Sequence, residues 1–148
     1  MRYILLLLTI CSINANAQTS QDSVKTAINH FFEGMRKGDS LLLKSSLAPQ
    51  ALLQTIAKTK DGKTSVRSED LQAFITAVTK PHDGVYDERI TFETIKIDAD
   101  LALAWTPYKF YVSDQFSHCG VNSFQLVRLN GEWKIQYIID TRRKDNCL

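Results

Sequence analysis

His118 and Cys119 stand side by side, and an imidazole next to a thiol is the pairing that makes a base and its nucleophile, or two ligands of a metal. In a strand, neighbouring side chains point to opposite faces, so the two would not meet at one atom. A metal also needs further ligands at compatible spacing; His30 and His82 supply none, and no metal site is expected. Rings form a second set. Trp105, Tyr108, Phe110, Tyr111 and Tyr137 recur along two stretches of strand character, where they either fill a core or line a pocket with the Tyr108 and Tyr137 hydroxyls as polar handles. The third set is the run Asp140-Thr141-Arg142-Arg143-Lys144. It could pair a carboxylate with a guanidinium, offer a basic rim to an anion, or be a solvated strand end. There is no glycine-rich phosphate loop and no serine elbow, so no cofactor is expected.

The chain that must position these groups has 148 residues and a formal net charge of +2, with both signs interspersed. That balance points to no nucleic-acid or membrane partner. Residues 1–17 read as a cleavable export signal: Arg2, an apolar run from Tyr3 to Ile10, then Ala15-Asn16-Ala17 as a small-x-small cleavage site. The apolar run is shorter than the roughly 20 residues of a membrane span, and Cys11 follows Ile10 rather than the small residue that lipid attachment favours. Residues 18–148 then form one domain, expected outside the cytoplasm in the periplasm or medium. Two cysteines remain, Cys119 and Cys147. In an oxidising compartment they are expected to bond, closing a loop of roughly 29 residues that stabilises by about 3 to 4 kcal/mol in the chain-entropy model.

Val24, Ala27, Ile28, Phe31, Phe32 and Met35 recur at helical steps, and Gly38 ends that helix. A short helix over 41–47 is expected to stop at Pro49, and Asp61-Gly62 to join two strands within 51–67. Ser68-Glu69-Asp70 caps a third helix carrying Leu71, Phe74, Ile75 and Val78. From Asp87 the period becomes two, with a parity slip near Glu93-Thr94 that predicts a bulge and Pro107 predicting an edge position or another bulge. Asn130-Gly131 joins the last two strands, and its register places Phe124, Leu126, Trp133, Ile135, Tyr137 and Ile139 together on the face that meets the helices. Gln125, Val127, Lys134, Gln136, Ile138 and Asp140 fall on the other face, to solvent or to a second copy.

This order of elements is α+β. The stretch from Ala27 to Asp39, with Phe31 near its centre and Gly38-Asp39 at its end, resembles the opening helix of the nuclear transport factor 2-like (NTF2-like) superfamily. Leu47-Ala48-Pro49, the hairpin Ile97-Asp98-Ala99-Asp100-Leu101-Ala102 and the stretch from Leu126 to Ile135 resemble its later landmarks, and the likeness lies nearest the exported lumazine-binding-like members. The resemblance implies a cone: three N-terminal helices packed on a strongly curved antiparallel sheet, with a pocket inside. Steroid isomerases of this superfamily use a Tyr eight residues before the Gly-Asp aspartate and an Asp sixteen after it. Those positions hold Phe31 and Thr55, which lack the donor and the base, so that chemistry is not expected here.

The expectation that results is an exported, noncatalytic domain holding a small, mostly apolar molecule among Phe31, Trp105, Tyr108, Phe110, His118, Phe124 and Tyr137. The alternatives are a hydrolase or isomerase working through His118, Tyr137 or Asp140, and an interaction module that dimerises through the outer sheet face.

Overall fold

The computed structural model describes residues 19–81 and 83–147; the expected export signal and His82 lie outside them. Helix α1 spans Ser20–Lys37. Thr19 caps it by accepting from the Asp22 amide, Arg36 and Lys37 sit in its last turn, and Gly38 closes it at φ 64°, a left-handed conformation glycine adopts without strain. The predicted apolar stripe is its buried face. Helix α2, Ser40–Ser45, is shorter than expected and starts on Asp39, whose Oδ1 accepts from the Leu41 and Leu42 amides at 3.0 Å each. Gly34 lets the two helices touch: a Cβ there would stand 2.6 Å from the Leu43 backbone nitrogen.

The chain then enters a curved, unclosed sheet of seven strands: β1 Leu47–Lys58, β2 Thr64–Glu69, β3 Tyr86–Ile90, β4 Thr94–Asp98, β5 Leu101–Val112, β6 Gln115–Leu129 and β7 Glu132–Thr141. Pro49 lies inside β1 rather than after a helix. Helix α3, Leu71–Thr79, follows the β1–β2 hairpin and is capped by Asp70. The spatial order is β2-β1-β7-β6-β5-β3, with β4 beside β3 on the same flank of β5. The expectation of a purely antiparallel sheet is corrected: β1 pairs with β7 in parallel, and the sheet is mixed. Leaving β7 antiparallel to β6 and parallel to β1 brings the first and last strands together in its centre.

The expected slip near Glu93-Thr94 is the break between β3 and β4. Across it the Thr91 and Glu93 amides still donate to the Pro107 and Trp105 carbonyls at 2.9 and 3.1 Å. Pro107 therefore sits where its missing N–H faces irregular backbone, which is how a mid-sheet proline is tolerated. A second irregularity corrects the face assignment of the last hairpin. Leu126 pairs with Ile135 but Gln125 pairs with Tyr137, so Gln136 is an extra residue on β7. One extra residue inverts every side chain beyond it. Trp133 and Ile135 face the helices as expected, but further along it is Ile138 and Asp140 that are buried, while Tyr137 and Ile139 turn outward.

The core lies between the helices and the inner face of the sheet. Phe31, Phe32, Phe74 and Phe124 meet there, Phe31 stacked on Phe74 at 5.8 Å and both Phe31 and Phe32 set edge-on to Phe124 at 6.5 and 5.9 Å. The Cys119–Cys147 disulfide is present, with Cα atoms 5.8 Å apart. It ties the segment after β7 back to β6, where Cys119 and Arg143 exchange backbone hydrogen bonds. Among the described residues no helix is long and apolar enough to cross a membrane.

Candidate ligand site on the inner face of the sheet

Strand register turns the inner face into rows running across β5, β6, β7 and β1. The row Ala104, Phe124, Ile138, Leu53 is apolar and lies under the helices. One step along, every strand carries a polar residue: Thr106 pairs with Asn122, Asn122 with Asp140, and Asp140 with Thr55. All four are buried, Thr106 at 0 % and Asp140 at 8 % exposure. A buried polar residue is costly unless hydrogen-bonded, so four in register define a place where the fold departs from simple core filling.

Their partners form a compact network. Arg142 donates from Nε to Asp140 Oδ2 at 2.8 Å and from Nη2 to Thr55 Oγ1 at 3.0 Å. The Tyr108 hydroxyl donates to the Thr141 carbonyl at 2.9 Å and lies 3.1 Å from Asp140 Oδ2. Tyr108 can lie this close to the neighbouring strand because its partner there is Gly120. A Cβ on Gly120 would fall 2.8 Å from the Tyr108 ring and 1.7 Å from the Thr141 carbonyl oxygen. From β3, Glu88 Oε1 accepts from Asn122 Nδ2 at 2.7 Å. Thr106 Oγ1 is enclosed and has no partner among the described residues.

The network sets the charges. Glu88 is half-buried as a residue, but its carboxyl head is enclosed. Burial, reinforced by the Asp140 charge, pushes Glu88 up to about 7 against the pull of Asn122 and Arg142. Burial and the Asp140 and Glu88 carboxylates push the Tyr108 hydroxyl far up, so it serves as a donor and not as a base. His118 is lowered by burial and by the Arg142 cation, and stays neutral at pH 7. A cavity of about 230 Å³ opens beside Glu88 between α1 and β3, lined also by Asn29, Phe32 and Arg36.

Of the residues expected to form the site, Tyr108, Phe110 and His118 do come together: the His118 ring packs edge-on to Tyr108 at 5.7 Å and against Phe110 at 5.0 Å. Phe31 and Phe124 meet in the core, where their rings pack against one another and against Phe32 and Phe74. Trp105 and Tyr137 do not join the others. Trp105 alternates with buried Ala104 and Thr106 and is 45 % exposed on the outer face. Tyr137 is turned outward by the extra Gln136 and donates to Gln54 Oε1 at 2.6 Å. Glu88, Asn122 and Thr106 were not among the expected site residues. Asn122 and Thr106 carry a readable signal, being polar residues in step with Phe124 and Ala104 on core-facing positions. Glu88 lies within Asp87-Glu88-Arg89, which reads as a solvated strand.

A mixed, curved sheet wrapped on one side by helices, with polar groups gathered on its inner face, is the architecture of NTF2-like proteins. Solved structures share it. An NTF2-like protein of unknown function from Shewanella baltica has a TM-score of 0.63 at 16 % identity, covering 88 % of this chain and all (100 %) of that one. A protein of unknown function with a cystatin-like fold from Nostoc punctiforme has a TM-score of 0.65 at 15 % identity, with 86 % of this chain and 95 % of that one covered. A protein from Streptomyces avermitilis, titled a "putative dehydratase from the NTF2-like family", has a TM-score of 0.61 at 16 % identity, with 82 % and 94 % covered. At these identities the likeness is one of fold alone. Residues 19–137 match the family described as "Putative lumazine-binding", and the chain belongs to that family within the NTF2-like superfamily. No curated protein is detectably similar in sequence.

Proposed function

We propose that the chain is an exported small-molecule-binding domain, released after residue 17, that holds its ligand in a cone-shaped hollow against Glu88 and the row Thr106, Asn122, Asp140. The observation that carries this reading is the Thr106 hydroxyl: fully enclosed, without a partner, and in line with two buried polar side chains. A buried polar group left unsatisfied favours an incoming acceptor or donor. In this reading the Tyr108, Phe110 and His118 rings stand beside a polar floor, so the ligand carries a hydrogen-bonding edge as well as apolar area. The cavity of about 230 Å³ between α1 and β3 meets this network at Glu88 alone, so a ligand there is compact and approaches the polar row from the Glu88 side. Lumazine, named in the family's description, is flat and has such an edge. Titrating the purified protein with lumazine should raise its melting temperature saturably, and Asn122→Leu should weaken the apparent affinity at least tenfold. An unmoved melting temperature across lumazine and related flat heterocycles would count against the reading.

A second reading, acid–base catalysis, is favoured by one observation. Glu88 near 7 is poised to give or take a proton at neutral pH. In that reading Glu88 is the acid or base, Tyr108 orients, and Asp140 and His118 remain candidates, whereas Tyr137 is not one. Turnover of a bound ligand that vanishes in Glu88→Gln while binding persists would establish it.

A further inference from the structure

Far along the sheet from Glu88, a cavity of about 490 Å³ lies between the first half of α1 and the β6–β7 hairpin, bounded by Ser23, His30, Ser46, Arg128, Trp133 and Lys134. Two N–H groups there have no acceptor among the described residues. Trp133 is only 5 % exposed and its indole Nε1 is enclosed without a partner; Arg128 Nε is in the same condition. Buried donors without acceptors are rare in folded proteins, and these two belong to one cross-strand pair, with the guanidinium 4.6 Å above the indole ring. The lining also carries the Glu132 carboxylate, which is engaged by Lys134. Among the described residues no carboxylate pairs with Arg128, whereas Lys134 is held by Glu132 and by the Ser45 carbonyl, each at 2.7 Å. Ser46 and Ser23 turn their hydroxyl protons to the Leu43 and Thr19 carbonyls.

We propose that this cavity is a second binding site, for the carboxylate of a small flat acid. Two neighbouring N–H donors match the two oxygens of a carboxylate, and Arg128, which has no carboxylate partner among the described residues, balances its one charge, where a phosphate dianion would need more. The indole ring beside the donors is the wall on which a flat apolar body rests. Arg128 and Trp133 both line the cavity while their donor atoms are enclosed, so in this proposal the long Arg128 side chain shifts to present them. The proposal is independent of the inner-face site, because none of its residues belongs to the Glu88 network.

The test uses the purified 15N-labelled protein, benzoate and inorganic phosphate as probes, and the indole N–H resonances of Trp133 and Trp105. Benzoate should move the Trp133 resonance saturably and leave that of Trp105, on the outer face, in place. Arg128→Gln should weaken this at least tenfold. Ser23→Phe, which fills the cavity from α1 and keeps both donors, should abolish it with the remaining amide resonances unchanged. No saturable movement with millimolar benzoate, or equal affinity in either variant, overturns the proposal; saturation by phosphate without benzoate overturns the carboxylate assignment.

Discussion

Glu88 shows how much of a residue's chemistry depends on where its strand is placed. Its neighbours Asp87 and Arg89 pair with each other at 2.7 Å on the outer side, and Arg89 also reaches Asp114. Glu88 points the other way, into the enclosure around Asn122. The sequence shows three charged residues in a row; only the pairing of β3 with β5 separates them. Because the folded-state value, about 7, is above the unfolded one near 4.5, the native state holds the proton more tightly. Stability is therefore unpenalised below pH 4.5, falls as pH rises through the window between the two values, and is lowest above about 7. The full penalty is on the order of 3 kcal/mol, an upper bound because the residue is only half-buried. Glu88→Gln should match the native protein in chemical denaturation at pH 4.5 and exceed it at pH 8; a constant difference across that range would mean Glu88 ionises normally. Thr55 and Phe31, by contrast, were legible as residues. Their identities are the reason steroid-isomerase chemistry is not expected, and Thr55 lies on the inner face, with Asp140 as its cross-strand partner.

Among the elements, the helices followed from their patterns, since an 18-residue amphipathic repeat with a capping threonine and a closing glycine admits little else. The strands followed only as far as their bulges. The Asn130-Gly131 turn, with Asn130 at φ 52° and Gly131 at φ 86°, fixes the hairpin end. The extra Gln136 lies within an unbroken run of strand-forming residues and has no local marker, so the facing of Tyr137 through Asp140 was invisible without the pairing itself. The parallel contact between β1 and β7 is likewise a tertiary fact, joining segments some eighty residues apart. Gly120 is the element-scale test of the site. Gly120→Ala places a Cβ against the Tyr108 ring and the Thr141 backbone oxygen, and the oxygen cannot yield without moving β7 away from β6. It should destabilise by about 3 kcal/mol or more, measured as a lower urea midpoint, and an unchanged midpoint would show that the Tyr108 packing is looser than described.

For the whole molecule, the sheet has two faces with different uses. The inner face is packed by helices and carries the polar row. The outer face leaves Leu52, Leu103 and Trp105 partly open, at 42, 42 and 45 % exposure, in adjoining rows with Tyr137 and Ile139. Such a patch on a small domain is a candidate interface, and we propose a second copy of the chain as its occupant. Light scattering should give a dimer mass that Trp105→Glu reduces to a monomer; a monomer in the native protein would refute this. The α+β arrangement was legible in the order of turns and caps, and the family in the resemblance that the stretch from Ala27 to Asp39 and the later landmarks carry. The candidate site was only partly legible, because it is assembled by register. The most direct test of that site is the side-chain amide of Asn122 in 15N spectra recorded with lumazine. The account predicts that the Asn122 side-chain resonances and those of His118 move together and saturate while the Trp105 indole stays fixed. Movement confined to Trp105 and its outer-face neighbours, with Asn122 unchanged, would contradict it.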